Sequence, residues 1–400
     1  MKTVVFTGGG TGGHIYPGLG IADELRKVAS ETGTEIRIIW IGSSAGMDKD
    51  IVEKSGSTDR FIGIPCGKLR RFFSLRNFTD LFRIFAGFIK AFFVLLRLKP
   101  CAVFSKGGFV SVPPCYAAKL LSIPVYTHEC DFSPGLATRL NSKCASKILL
   151  SFEKTAEYFS SEMKSKLIVT GNPVRPVFYS AEKNRGIEFL EKTSGRKIPS
   201  DKKILLVLGG SLGAMQINTL VSENLEWLCS NFTVVHQTGA KWASENSGKE
   251  TFSSESYLPY PFIYSEMPDV MAAADIVLSR AGSNFLWECA VTKKPLVLIP
   301  LSGSGTRGDQ VENAAYFESE GAAVVLGGRN TDGSETAPAD SENLKAALEK
   351  LKDEEIRNKM SENVFRLTQN RKPAECIAKL IYDEVIKTKC FFLLSILFFL

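Results

Sequence analysis

Short apolar runs alternate with longer amphipathic stretches along most of this chain. In its first part the runs are "KTVVFT" (2–7), "EIRIIWIG" (35–42), "CAVFS" (101–105), "IPVYTH" (123–128) and "SKILLS" (146–151). A helical pattern follows each of them, which is typical of βαβ units around a buried parallel sheet. The pattern therefore predicts an open α/β domain.

A second series of apolar runs begins at residue 202 with "KKILLVLGG" and continues through "NFTVVHQTG", "ADIVLSRAG", "KPLVLIP" and "GAAVVLGG". Between the two series lies "LIVTGNPVRPVF" (167–178), where Pro173 and Pro176 interrupt regular structure. The chain is therefore predicted to be α/β, with two Rossmann-like open parallel-sheet domains facing across a cleft. Their predicted bounds are 1–173 and 174–374, and residues 375–400 are expected to form a helix that packs back toward the first domain, followed by an apolar tail.

Composition changes this picture little. The 400 residues include 49 lysines and arginines against 43 aspartates and glutamates, and we expect no nucleic-acid partner. The nine cysteines form no C-x-x-C pair and several lie in apolar runs, so they are expected to be reduced core residues rather than a disulfide or zinc framework. The N-terminus lacks the apolar region of a secretory signal, and no stretch reaches the roughly 18–20 apolar residues of a membrane span.

The most conspicuous candidate for chemistry is "TGGGTGGHIYPG" (7–18), which places five glycines within six positions. Gly8, Gly10 and Gly13 match G-x-G-x-x-G, but a dinucleotide site also needs an acidic residue at the end of the second strand, and that strand ends in "WIGSSAG". A nicotinamide-dependent oxidoreductase is therefore disfavoured. A turn that only packs would need one or two glycines, so we expect backbone amides and a helix N-terminus that cradle an anion.

Three further turns repeat this device: "SKGGFVSVPP" (105–114), "LGGSLGA" (208–214) and "SRAGSNFLWE" (279–288). In the last of them Glu288 lies about one and a half turns into a predicted helix. A carboxylate there can accept hydrogen bonds from both ribose hydroxyls of a nucleotide whose diphosphate faces the helix N-terminus. The alternative is a solvated helix residue.

Taken together, these strings resemble the MurG-type glycosyltransferases. The resemblance is carried in order by "GGGTGGHIYPGLGIADEL", "GGFVS", "HECDFSPGL", "TGNPVR", "GGSLGAMQIN", "HQTG", "DIVLSRAGSNFLWE" and "RGDQVENA", and it runs from residue 3 to about residue 380. It implies the two-domain GT-B architecture and an inverting transfer of N-acetylglucosamine from its UDP derivative to a lipid-linked muramoyl-pentapeptide. It also implies that the second domain holds the UDP-sugar and that the first receives the acceptor. Because the sequence shows no cluster with metal-ligand spacing, we expect no cofactor or tightly bound metal.

The resemblance also assigns site residues. The donor-side positions are Thr11, Gly12, Gly13, Asp131, Arg175, Ser211, Tyr264, Glu288, Asp309 and Gln310, and the acceptor-diphosphate loops contain Gly10, Gly107 and Gly108. Tyr264 is expected to contact uracil through its backbone, and Glu288 to hold the ribose. The chain departs from the family's usual residues at Asp131, where asparagine is common, and at Asp309, Lys106, Val112 and Pro114.

The chain has three histidines, and each has more than one interpretation. His14 follows the first glycine run, where a neutral imidazole can act as general base for the attacking hydroxyl or as a fixed donor to a phosphate. His128 is more readily explained as a structural residue than as a catalytic one, and His236 is expected to line the donor cleft or to brace a loop. No cluster has metal-ligand spacing, and the single D-x-D (48–50) is expected on a surface helix.

Residues 68–99 suggest membrane contact. They contain eight basic residues against one acidic residue, with eight phenylalanines, and Arg76, Arg83, Lys90 and Arg97 recur every seventh position. One cationic stripe on a wide apolar face is typical of a helix that rests on anionic lipid. The alternative is a core helix with snorkelling bases. The apolar end, "CFFLLSILFFL" (390–400), is too short to span a membrane and is interpreted as a second surface anchor.

The expected location is peripheral, on the cytoplasmic face of the bacterial membrane, with cell-wall synthesis and division proteins as possible partners. Two other functions stay open at this point. One is another UDP-sugar enzyme of the same fold, such as a glycolipid synthase or an epimerase, and the other is a non-catalytic nucleotide-sugar-binding module.

Overall fold

The computed structural model describes residues 1–68, 75–210, 213–246, 254–303 and 306–387, and of residues 75–77 only the backbone. The chain divides into two compact units. The first unit comprises residues 1–174 together with the chain from residue 371 onward, and the second unit comprises residues 175–370. The first division, after residue 174, falls one residue later than the sequence predicts. The second division, after residue 370, falls four residues earlier.

The first unit is built on a parallel sheet, in which the described residues form seven strands. The strands are β1 (Lys2–Thr7), β2 (Ile36–Ser43), β3 (Arg60–Ile64), β4 (Ala102–Ser105), β5 (Val125–Glu129), β6 (Lys147–Leu150) and β7 (Leu167–Val169). Their order across the sheet is β3-β2-β1-β4-β5-β6-β7. The central strands are largely apolar and buried because helices cover both faces of the sheet.

Helices cover the two faces of this sheet and bury two apolar clusters. The helices are α1 (Gly12–Glu31), α2 (Asp48–Ser55), α3 (Leu75–Leu98), α4 (Val112–Leu120) and α5 (Leu136–Asn141), followed after the second unit by α15 (Pro373–Ile381). One cluster joins α1 and α15 to the sheet, and the other joins α3 and α4 to its opposite face. Helix α15 continues as a π-helical turn whose Glu384 accepts a hydrogen bond from the Tyr126 hydroxyl (2.6 Å).

The second unit repeats this plan with a parallel sheet that has six strands in the part of the chain described. They are β8 (Lys203–Leu208), β9 (Phe232–Gln237), β10 (Tyr257–Tyr260), β11 (Ile276–Ser279), β12 (Leu296–Leu298) and β13 (Ala323–Val325), in the order β10-β9-β8-β11-β12-β13. Two open parallel sheets in an α/β chain confirm the predicted fold class.

The helices of the second unit alternate with its strands and end in a helical pair. They are α6 (Lys183–Ser194), α7 (Met215–Glu223), α8 (Leu225–Asn231), α9 (Ala240–Glu245), α10 (Met267–Ala273), α11 (Ser283–Val291), α12 (Asp309–Ser319), α13 (Ser341–Lys350) and α14 (Glu354–Arg366). The last two begin at aspartate N-caps: the Asp340 carboxylate accepts from the Asn343 N–H, and that of Asp353 from the Ile356 N–H.

Candidate active site

The first glycine loop connects β1 to α1 at the carboxyl edge of the first sheet, and a buried aspartate holds it. Asp48 accepts hydrogen bonds from the Gly10 N–H through Oδ1 (2.9 Å) and from the Ser43 N–H through Oδ2 (2.9 Å). Its side chain is buried. The expectation that this D-x-D lies on a surface helix was therefore wrong for Asp48, which begins α2 but faces the loop.

The density of glycines in this loop has a packing cause as well. A Cβ on Gly8 would lie 2.9 Å from the His14 carbonyl oxygen, one on Gly9 would overlap the Asp48 carboxylate, and one on Gly10 would lie 2.5 Å from the Phe109 ring. Gly10 also has a φ of +81°, which favours glycine. Packing thus accounts for three of the five glycines, more than the sequence argument allowed.

The second glycine loop follows β4 and touches the first. Gly107 and Gly108 have φ of +95° and +78°, and a Cβ on Gly108 would lie 2.6 Å from the Gly9 carbonyl oxygen and 2.9 Å from Cδ2 of His14. Below the loop, Asn141 donates to the hydroxyl oxygens of Ser105 (3.1 Å) and Ser111 (2.8 Å). The structure therefore brings His14 and both predicted diphosphate loops together.

The N-terminus of α1 is open to an anion. Thr11 is the N-cap, and its side chain makes no capping hydrogen bond within the described chain. The first turn, all of which is described, contains Gly12, Gly13 and His14 and no acidic residue. Thr11 and Gly10 are exposed and the other three are half-buried. The positive end of the helix dipole, with no acidic side chain in this turn, is suited to a phosphate group.

Residues 128–131 form the adjacent loop at the end of β5. The His128 ring is buried and donates from Nε2 to the Gly171 carbonyl oxygen (3.0 Å). Burial, followed by the nearby Lys106 ammonium, lowers the pKa of His128 well below its usual value. These contacts support the structural interpretation of His128.

In the same loop, Glu129 accepts from the backbone N–H groups of Asp131 (3.0 Å) and Gly135 (2.9 Å), and burial raises its pKa. Asp131 is half-buried. Among the described residues, Glu129, Cys130 and Asp131 are the one group whose potential metal ligands lie within 4.8 Å of one another. The backbone amides already occupy Glu129, so the loop geometry explains this carboxylate without an ion.

In the second unit, Arg175 and Glu288 form an ion pair. The Arg175 Nε lies 3.2 Å from Oε1 of Glu288, and the guanidinium also lies over the Phe178 ring, 4.8 Å from its centroid. Burial raises the pKa of Glu288, although the Arg175 guanidinium opposes the rise. Glu288 is thus a half-buried carboxylate, 17% exposed, in the second turn of α11 rather than a solvated helix residue.

The third glycine turn follows β8 and is braced from β9. The Gln237 side chain donates to the Gly210 carbonyl oxygen (3.3 Å) and accepts from the Ile263 N–H (2.9 Å), which joins this turn to the segment that contains Tyr264. The Tyr264 side chain is 73% exposed and contacts Phe262 edge-on. Ser211 lies outside the described residues.

His236, in strand β9, links that strand to strand β10 and helix α7. Its Nδ1 accepts from the Tyr257 hydroxyl (3.0 Å) and its Nε2 donates to Oδ1 of Asn218 (3.1 Å). Burial lowers the pKa of His236 to about 3. Of the two roles considered for this residue, bracing is the one its contacts support.

Asp309 and Gln310 lie at the start of α12. Asp309 pairs with Arg307 (3.4 Å), and Oε1 of Gln310 accepts from the Leu301 N–H (3.0 Å).

Sequence reasoning missed a cation at the end of strand β11. Arg280, directly after β11, donates to Gln216 (2.9 Å) and to the Ile299 carbonyl oxygen (2.9 Å). Its place between a strand end and "AGSN" was the available signal.

Helix α3 is buried on one side only. Gly87, Ala91 and Leu95 face the core, whereas a row of large apolar side chains is exposed: Phe78, Leu81, Phe82, Phe85, Ile89 and Phe93. The side of α3 that carries these exposed apolar residues is therefore not packed against the core.

The cationic stripe lies on the exposed part of α3. Arg83, Lys90 and Arg97 are exposed, and Arg83 approaches the buried Asp80 (3.6 Å). The Arg76 side chain is outside the described part of the structure. An apolar groove of about 300 Å³ separates α3 from α4 and is lined by Leu81, Ile84, Phe85, Phe88, Val112, Pro113, Tyr116 and Leu140.

Within the described ranges, no helix combines the length and the apolar character that a membrane crossing requires. The eight described cysteines are free, and most of them are buried.

Two open parallel sheets in one chain, each with glycine-rich turns at the carboxyl ends of its strands, define the GT-B class of glycosyltransferases. The model of the glycosyltransferase family 28 N-terminal domain matches residues 4–150, and that of the family's C-terminal domain matches residues 204–380. The chain therefore belongs to glycosyltransferase family 28.

Close relatives carry one name. A Treponema denticola protein named UDP-N-acetylglucosamine–N-acetylmuramyl-(pentapeptide) pyrophosphoryl-undecaprenol N-acetylglucosamine transferase is 53% identical over 345 residues, which cover 82% of this chain and 85% of that protein. A Clostridium botulinum protein of the same name is 40% identical over 326 residues, with coverage of 82% and 86%. The crystal structure of Acinetobacter baumannii MurG matches with a TM-score of 0.70 at 22% identity, covering 97% of this chain and 100% of that one, which supports the fold.

Proposed function

We propose that this protein transfers N-acetylglucosamine from UDP-N-acetylglucosamine to the 4-hydroxyl of the muramoyl sugar in undecaprenyl-diphospho-muramoylpentapeptide. The product is lipid II, a precursor of peptidoglycan, and the anomeric carbon is inverted. The observation that carries this proposal is the 53% identity, over most of both chains, to a protein named for this transfer. The same identity favours the transferase over an epimerase, a glycolipid synthase or a pure binding module.

The second unit is proposed to hold the donor. Its half-buried Glu288 carboxylate accepts hydrogen bonds from the ribose hydroxyls, and the Arg175 guanidinium, whose Nε lies 3.2 Å away, keeps this carboxylate charged and oriented. The α11 N-terminus and Arg175 oppose the negative charge that develops on the leaving UDP. The Tyr264 backbone contacts uracil, and Asp309, Gln310 and Ser211 complete the donor set.

The first unit is proposed to hold the acceptor diphosphate on Gly10, Gly107 and Gly108. Thr11, Gly12, Gly13 and Asp131 extend the donor-sugar contacts from this side. His14 lies against Gly108 and next to the open α1 N-terminus, so it can act as the base for the attacking hydroxyl or as a donor to phosphate. The reaction is proposed to need no bound metal.

We also propose that α3 rests on the anionic cytoplasmic face of the bacterial membrane. Its support is the exposed row of phenylalanines beside Arg83, Lys90 and Arg97, with the apolar groove alongside. Apolar side chains enter the acyl boundary while the cations stay at the headgroups.

Transfer of labelled N-acetylglucosamine to a short-chain lipid-diphosphate muramoyl acceptor tests the reaction. We expect acceptor-dependent incorporation with a β-linkage at the new bond, unchanged when EDTA is present. A reaction without acceptor is the control. The proposal is contradicted if the protein releases the labelled sugar or converts it to an epimer in this control and transfers no label when acceptor is added. If EDTA abolishes transfer and added Mg²⁺ restores it, only the proposal that the reaction needs no bound metal is contradicted.

A further inference from the structure

Lys106 is a buried lysine at the junction of the two glycine loops. It follows β4 directly, and its N–H donates to the Thr7 carbonyl oxygen (2.9 Å) at the end of β1. A Cβ added to Gly8 would lie 3.4 Å from the Lys106 Cβ, and one added to Gly18 would lie 3.7 Å from it. The side chain is 1% exposed. It therefore begins beneath the first loop and the first two turns of α1.

The Lys106 ammonium has no partner among the described residues. Its Nζ is buried and makes no hydrogen bond there. Lys294, a half-buried lysine, shows the usual solution: its Nζ donates to the carbonyl oxygens of Ala272 and Ala274, 2.8 Å each. A buried charge without an acceptor destabilises the fold, so folding alone does not explain Lys106.

The helix N-terminus nearest to Lys106 has the same sign of charge as its ammonium. The α1 N-terminus above it is the positive end of a 20-residue helix with no acidic residue in its fully described first turn. The neighbouring His128 donates its Nε2 proton to Gly171 and is neutral. The Asp48 carboxylate behind the loop already accepts from the Gly10 and Ser43 N–H groups, so the helix dipole and the ammonium leave an anion as the missing partner.

We propose that Lys106 supplies the positive charge of a diphosphate-binding site in the first unit, and that its ligand is the diphosphate that links the acceptor sugar to its lipid. This rests on the proposed function, which assigns the acceptor to this unit. Because Nζ lies below the surface, Lys106 is a positioning residue that acts on the anion through the glycine loop. A buried ammonium is screened much less than a surface one, so its field reaches the loop.

The variant Lys106→Met removes the charge and keeps the length of the side chain. We expect kcat/KM for a short-chain acceptor to fall about ten- to a hundredfold, the range of an attraction between two charges roughly 6–10 Å apart at an effective dielectric constant of about 20, while KM for UDP-N-acetylglucosamine changes less than twofold. Thermal stability should hold or rise, because an unpaired buried charge is gone. Lys119→Met is the matched control, since the Lys119 ammonium is exposed and donates to the Lys143 carbonyl oxygen (2.7 Å).

Two kinetic results would overturn the inference. A rise in KM for UDP-N-acetylglucosamine alone would assign the charge to the donor diphosphate, and lower stability with unchanged kinetics would make Lys106 a structural residue. Lys106→Gln is measured in parallel in case the methionine variant does not fold, and retained acceptor use in that folded variant counts equally against the inference.

Calorimetric titration with inorganic pyrophosphate separates this inference from the proposed reaction. Binding to the wild-type protein that weakens at least tenfold in Lys106→Met supports the site even if no sugar is transferred. Equal binding by both proteins overturns it even if transfer is observed.

Discussion

At the scale of single residues, the pair Arg175 and Glu288 gives the sharpest expectation. Replacing Glu288 by alanine removes the proposed ribose hydrogen bonds, each worth about 1.5–3 kcal/mol to a charged group, and leaves the Arg175 guanidinium without its partner. We expect UDP to bind at least tenfold more weakly in calorimetric titration. Glu226→Ala, on the exposed side of α8, is the control, and unchanged affinity in a folded Glu288→Ala protein would remove Glu288 from the donor site.

His14 belongs to the chemical step on either of its two interpretations. His14→Ala should lower kcat by roughly 10²–10⁴, the usual range for a general acid or base, and change KM for UDP-N-acetylglucosamine little, because the donor is held mainly by the second unit. Steady-state kinetics at saturating acceptor measure both parameters. Near-normal turnover would leave His14 a structural part of the contact between the two loops.

The two residues that sequence reasoning misjudged or missed, Asp48 and Arg280, are charged and withdrawn from solvent, Asp48 fully and Arg280 in part. Asp48 looks like a surface residue because Lys49 and Asp50 follow it, and both of those are exposed. The loop glycines that it contacts, Gly10 and Gly9, are 38 and 39 positions away, and its nearby partner is only the backbone N–H of Ser43, so no local pattern of side chains reveals the contact. Glu288 was found because a short motif encodes its neighbourhood, the glycine turn and helix start that precede it.

At the scale of elements, the strands that the apolar pattern did not indicate are edge strands. β3 and β7 are the two edges of the first sheet, and β10 is an edge of the second. An edge strand pairs on one side only, so its side chains stay partly exposed and need less apolar sequence. β7 is half-buried throughout. The central strands, which are buried on both faces, were predicted to within about two residues.

Helix α3 is the element whose surface chemistry can be tested alone. Replacing Arg76, Arg83, Lys90 and Arg97 by glutamine removes an attraction of about 1 kcal/mol for each base near an anionic surface. We expect binding to anionic vesicles at low salt to fall strongly and binding to neutral vesicles to change little, measured by co-sedimentation. Activity on a short-chain acceptor should survive, because the glycine loops and His14 are intact.

Salt and lipid charge provide the controls for this element. Wild-type binding to anionic vesicles should weaken at high salt because surface charges are screened, whereas the contribution of the exposed phenylalanines should persist on both lipids. A wild-type protein without preference for anionic vesicles at low salt would contradict the membrane proposal for α3. The search for lipid contact would then start with the segment 388–400.

At the scale of the whole molecule, each unit contains a buried histidine whose imidazole is neutral in the folded protein. Burial lowers the pKa of His236 to about 3 and that of His128 well below its usual value. Both imidazoles regain a pKa of about 6.5 on unfolding. Below that pH the unfolded chain binds protons that the folded chain excludes, so the free energy of unfolding falls as the pH falls. The carboxyls of Glu129 and Glu288, whose pKa values are raised by desolvation, act in the opposite direction at lower pH.

A histidine variant isolates one of these contributions. Each neutral histidine should contribute a slope of about 1.4 kcal/mol per pH unit below pH 6.5, and for His236 this loss continues toward pH 3. His236→Gln keeps a neutral hydrogen-bonding side chain between Tyr257 and Asn218 and removes the titration, while every carboxyl is common to both proteins. Urea unfolding at pH 7.5, 6.5, 5.5 and 4.5 should therefore show a wild-type advantage that is constant above pH 6.5 and shrinks at that slope below it. An advantage independent of pH would mean that the wild-type imidazole takes up its proton in the folded state, against the buried bonds to Tyr257 and Asn218.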